Sequence, residues 1–209
     1  EWRRQWSRAR TRWALGRMVL LPLSILIAFQ FDNGGDDDNG GGEFGSLIDL
    51  ATSGGLNFTL FCLYVSATFL LVVAVALFCG DTVASEAQWG SLRYLLAVPV
   101  PRARLVAVKL IVALGYSGLA LLTLAGTALA LGTARYGWDP LRSTVANEIA
   151  PGAGLVRLLG ILGYLAVVLL VVAGLAFLLS VSTDAPQGAV GRAVLLWILS
   201  SILDQITAL

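Results

Sequence analysis

Side chains able to make or break bonds are scarce in this 209-residue chain. Histidine is absent, which removes Ser-His and Cys-His nucleophile pairs and the usual metal constellations. Met18 is the one methionine, too little for a thioether copper path. Cys62 and Cys79 fall in one apolar run, 17 residues apart. On a helix that separation is ~25 Å, so they cannot pair and read as small core residues. No G-x-x-x-x-G-K-[ST] phosphate loop is present, so any ATP is bound by another polypeptide. The acidic run with Asp32, Asp36, Asp37, Asp38, Glu43 and Asp49 does not have calcium-loop spacing. Asp204 and Gln205 stand in a late apolar stretch, and an ionisable residue at membrane depth is a functional candidate. The preferred reading sets Asp204 at the outer end of a short helix. The chemistry left to this chain is recognition rather than catalysis.

Residues 80–109, GDTVASEAQWGSLRYLLAVPVPRARLVAVK, carry the pattern best suited to recognition. At 100° per residue, Trp89, Leu92 and Leu96 share one face. Glu86, Gly90, Arg93 and Ala97 form the adjoining stripe. Pro99 and Pro101 stop the helix, because proline lacks a donor and clashes with the preceding turn. Arg102, Arg104 and Lys109 follow at the mouth of the next apolar run. A plain connector does not need this design, whereas a loop that receives force from a soluble partner does. The alternative is an amphipathic loop that floats at the interface.

The elements that position these residues are membrane helices. The chain is 57% hydrophobic and 13% charged, against about 25% charged in soluble domains, and its mean hydropathy is +0.82. The apolar runs are continuous rather than alternating, which selects helices over a barrel. The expected fold is an all-α integral membrane protein with five spans, at 14–31, 56–79, 105–131, 155–181 and 189–209. Pro22 is expected to kink the first. Residues 1–13 read as an interfacial elbow helix. Trp2, Trp6 and Trp13 fall within about 60° of one another, with Arg3, Arg4 and Arg10 on the remaining arc. Residues 32–55 read as a mobile, acidic, Gly-rich external loop, and residues 80–104 as a cytoplasmic loop. Glycines 115, 118 and 126 in the third span, and 160, 163 and 174 in the fourth, are expected at close helix contacts.

The positive-inside rule orients the chain. With the N-terminus in the cytoplasm, six basic residues through Arg17, the four from Arg93 to Lys109, and Arg192 lie inside. Outside remain Arg135, Arg142 and Arg157, together with most of the carboxylates. Bulk charge, at +1, offers nothing to nucleic acid. Arg in place of Lys and heavy use of Ala, Leu, Gly and Val suggest a bacterial cytoplasmic (inner) membrane.

The run Glu86, Gly90-Ser91, Leu95-Leu96, Pro99 and Arg102 resembles the coupling loop in permease subunits of ATP-binding-cassette (ABC) transporters of the type-2 exporter family. An acidic residue, a gap of three, Gly-Ser, Leu-Leu, Pro and Arg recur there. The amphipathic elbow and the order of spans are similar too. The resemblance implies a transmembrane domain that dimerises with a second permease copy or paralogue. It implies a separate ATPase subunit that holds ATP and Mg, so that this chain is not itself an enzyme. It implies a short coupling helix docked on that subunit through Glu86, Trp89, Gly90, Ser91, Leu92, Arg93 and Arg102. It also implies a sixth span, which would follow Leu209. An ion-coupled carrier or channel is the alternative, and such proteins usually carry buried charge, broken helices or inverted repeats.

Overall fold

A computed structural model describes residues 9–32, 43–88, 102–142, 148–183 and 185–207. The described residues form seven helices and no strand beyond one isolated bridge. They are α1 (Ala9–Asp32), α2 (Glu43–Thr52), α3 (Gly55–Thr68), α4 (Leu70–Gln88), α5 (Arg102–Tyr136), α6 (Pro151–Ser182) and α7 (Pro186–Thr207). Four of them are long and apolar enough to cross a membrane, and α3 with α4 makes a fifth if the bent pair is one span. The all-helical, multi-span class expected from composition is what the chain adopts.

Several boundaries differ from the sequence reading. α1 runs from Ala9 without interruption through Trp13 and Pro22, so the described part of the expected elbow is continuous with the first span. The second span is broken at Phe69, where no proline or glycine stands. Ser66 and Thr68 stand just before the break. Their hydroxyls donate back to the carbonyls of Leu63 and Tyr64 at 3.1 and 3.4 Å, a pattern that bends helices. α4 then continues nine residues past the expected end at Cys79. α5, at 35 residues, is about 52 Å long, well beyond a ~30 Å hydrocarbon core.

The expected external loop at 32–55 is corrected over its second half, where α2 forms. Leu47, Ile48 and Ala51 recur at helical spacing, and Ala51 is buried. The Gly/Asp run masks this short apolar stripe in the sequence.

Residues fall into two compact units. One comprises residues 12–68 and 120–165. Its core joins Phe29 of α1, Ala51 of α2, Phe58 and Cys62 of α3, and Ala128 of α5. Phe29 meets Phe58 edge-on at 6.3 Å between ring centroids, and Phe58 meets Tyr136 at 5.6 Å. α3 and α5 approach at backbone distance. A Cβ on Gly55 would stand 2.7 Å from Thr133 N, and one on Gly132 2.8 Å from Gly55 O. After α5, Gly137 takes φ +80°, and Leu141 pairs with Ile149 through two backbone bonds of 2.9 and 3.0 Å. Arg142 and Glu148 form an exposed ion pair at 3.2 Å, which contributes little.

The second unit comprises residues 1–11, 69–119 and 166–209. Here α4 packs along α7. Ala189 and Ala193 of α7 are fully buried, and small residues allow such close approach. Phe78 of α4 stacks obliquely on Tyr116 of α5 at 6.0 Å.

Five of the six glycines expected at close helix contacts stand in open space. Positions 118, 126, 160, 163 and 174 have nothing within 4 Å of a built Cβ. Gly55, Gly80, Gly132 and Gly154 do. Glycine spacing alone marks helix surface, and only the packing partner distinguishes a contact from open space.

Candidate functional site

Of the residues expected to dock a partner, Glu86 lies in the last turn of α4 and Arg102 opens α5. Trp89, Gly90, Ser91, Leu92 and Arg93 lie outside the described residues. The expected separate coupling helix is therefore described only at its root, where residues 80–88 belong to α4 itself. Among the elbow residues, Arg10 is helical and Trp13 is 68% exposed. Trp2, Arg3, Arg4 and Trp6 lie outside the described residues. Asp204 is exposed and stands at the last residue of the candidate span in α7, with Gln205 following in the same helix.

The last turns of α4 carry a buried polar arrangement in the second unit. Asp81, Thr82 and Ser85 on α4, Lys109 and Ser117 on α5, and Ser180 on α6 are all buried. Their positions follow from the elements. Lys109 sits about 10 Å along α5 from its first residue. It is 4% exposed, and its Nζ donates to the Thr82 carbonyl at 3.5 Å. Ser180, 1% exposed, lies two residues before the end of α6. Its Oγ accepts hydrogen bonds from two successive α4 amides, Val83 N and Ala84 N, each at 3.1 Å. Thr82 Oγ1 donates to the Cys79 carbonyl at 2.6 Å, the acceptor that Val83 N takes in a regular helix.

Glycine completes the seat. A Cβ on Gly80 would lie 2.9 Å from Val190 Cγ2 and 3.3 Å from Val190 N on α7. Only a residue without a side chain lets α4 enter at this depth. Three helices thus grip the last turns of α4, with Lys109 from α5, Ser180 from α6 and Val190 from α7.

The sequence pattern does not reveal this seat. Lys109 reads there as a flanking charge, and Asp81, Thr82 and Ser180 belong to no motif. The signal present is a polar triplet directly after an apolar run, with two serines, Ser180 and Ser182, closing an otherwise apolar α6 terminus. Neither distinguishes a buried seat from a solvated helix end.

No group of three or more His, Cys, Asp or Glu among the described residues could hold a metal. What the arrangement can do is fix a helix end rigidly against three others. Comparison with known proteins adds the family: the description "ABC-2 family transporter protein" matches residues 6–209. No curated protein and no solved structure matches the chain.

Proposed function

The chain belongs to the ABC-2 family of transporter proteins and is a multi-pass membrane protein, and from that premise we propose that it is the permease subunit of an ATP-driven exporter. The observation that carries this reading is the family match across nearly the whole chain. In this reading two permease subunits, identical or paralogous, enclose the substrate route in a bacterial inner membrane. A separate ATPase subunit binds ATP and Mg. The N-terminus is cytoplasmic, as the basic residues favour.

Coupling then runs through the segment after α4. Trp89 and Leu92 supply apolar anchor area to a groove on the ATPase subunit, Gly90 and Ser91 permit close approach, and Glu86, Arg93 and Arg102 fix the register. The buried seat of α4 supports this role, because a lever needs a stiff root. A floppy root would dissipate the displacement that ATP binding produces.

The test is ATPase retention and ATP-dependent transport for Trp89→Ala and Gly90→Leu, each at normal membrane levels. Both variants should insert normally and lose transport or release the ATPase subunit. Full activity in both would reduce the segment to a connector. The ion-coupled alternative draws on the buried Asp81 and Lys109. Transport that survives ATP depletion but stops when the ion gradient is collapsed would favour it.

A further inference from the structure

Two amides in the interior of α4 donate sideways to a serine of another span. In a regular helix Val83 N and Ala84 N bond only to the carbonyls four residues back. Here Ser180 Oγ takes both at 3.1 Å. The Cys79 carbonyl accepts from the Thr82 hydroxyl. The acceptor is fully buried, with Ser180 at 1% exposure, so water cannot replace it cheaply. A single hydroxyl therefore ties the backbone of α4 to the end of α6. Lys109 holds the neighbouring Thr82 carbonyl from α5. The tie falls two residues before Glu86, at the start of the segment read above as the lever.

We propose that Ser180 is a positioning residue that pins the root of the coupling segment to α6, so that displacement of the segment is carried directly into that span. The proposal rests on the coupling reading for its purpose but not for its geometry. Losing the hydroxyl takes the acceptor from both amides and with it the bonds that tie α4 to α6.

The experiment is hydrogen exchange on the full chain in lipid nanodiscs, followed by mass spectrometry. The proteins are wild type, Ser180→Ala, Ser180→Thr and the nearly isosteric Ser180→Cys. Exchange in peptides over residues 80–88 should rise about tenfold in Ser180→Ala. It should rise less in Ser180→Cys, a weaker acceptor, and stay low in Ser180→Thr, which keeps the oxygen. Unchanged protection in both Ser180→Ala and Ser180→Cys overturns the pin. If Ser180→Ala does not fold, the comparison of Cys with Thr decides the matter: faster exchange in Cys supports the pin, and equal exchange overturns it.

A second arm uses the complex with its ATPase subunit, trapped with ATP and vanadate. In wild type, peptides over residues 80–88 and 173–182 should change protection together. In Ser180→Ala the first should respond alone. A response in α6 that persists without the hydroxyl overturns transmission through the pin. If neither region responds in wild type, it is the coupling reading that fails, while the exchange data on the isolated chain still decide the pin.

Discussion

At Gly80 a hydrogen atom decides whether α4 can reach its seat. Any Cβ there would press on Val190 from 2.9 Å, and on its backbone nitrogen from 3.3 Å. Backbone cannot swing aside as a long side chain can, so the helices must separate. Gly80→Leu should therefore cost about 1–3 kcal/mol, the usual penalty of overpacking. Gly174, with open space around it, is the matched control. Gly174→Ala should leave stability unchanged or raise it slightly, since alanine is the better helix former by about 1 kcal/mol. Thermal unfolding of both variants in nanodiscs checks the pair. Equal melting temperatures would mean that α4 and α7 do not meet as closely as described.

At the scale of the element, α2 is the piece that changes the picture of the acidic connection after α1. It buries Ala51 and sets Ile48 against the Phe29–Phe58 cluster, while Asp49 stays exposed. A helix with one buried face gives neighbouring positions opposite accessibilities, and a loose loop does not. Asp49→Cys should react rapidly with an impermeant thiol reagent added to intact cells. Ala51→Cys, at a site 1% exposed in the native chain, should react at least about tenfold more slowly. Comparable rates at both positions would return this stretch to an unstructured loop. The native cysteines at 62 and 79 are buried and should give little background.

At the scale of the whole molecule, α5 makes the orientation testable with a single helix. It is continuous over 35 residues and long and apolar enough to cross a membrane, and a spanning helix places its two ends on opposite sides. Arg104 near one end and Trp138 beyond the other are both exposed. With the N-terminus inside, Trp138→Cys should label in intact cells and Arg104→Cys only after permeabilisation. The reverse pattern would invert the topology and move the segment proposed to couple away from any cytoplasmic ATPase. Labelling of both in intact cells would mean that α5 does not span.

Much of this was legible in the residues themselves. Long uncharged runs cannot be satisfied in water, so the number and rough place of the spans follow from composition and length. The asymmetry of arginines suggests an orientation, and the Glu86-to-Arg102 pattern pointed to the family that residues 6–209 match. What the residues could not specify is which side of each apolar helix meets protein. α6 is apolar nearly all round, so no stripe in the sequence distinguishes its buried Val172, Ala173, Ala176 and Ser180 from its exposed Leu170, Val171 and Leu178. Its glycines at 160, 163 and 174 looked like contacts and face open space, whereas Gly80 looked like a loop residue and is a contact. Lipid and protein interior are equally apolar, so hydrophobicity carries no information about the choice between them. Shape complementarity and the few buried hydroxyls make that choice, and both exist only once the helices are in place.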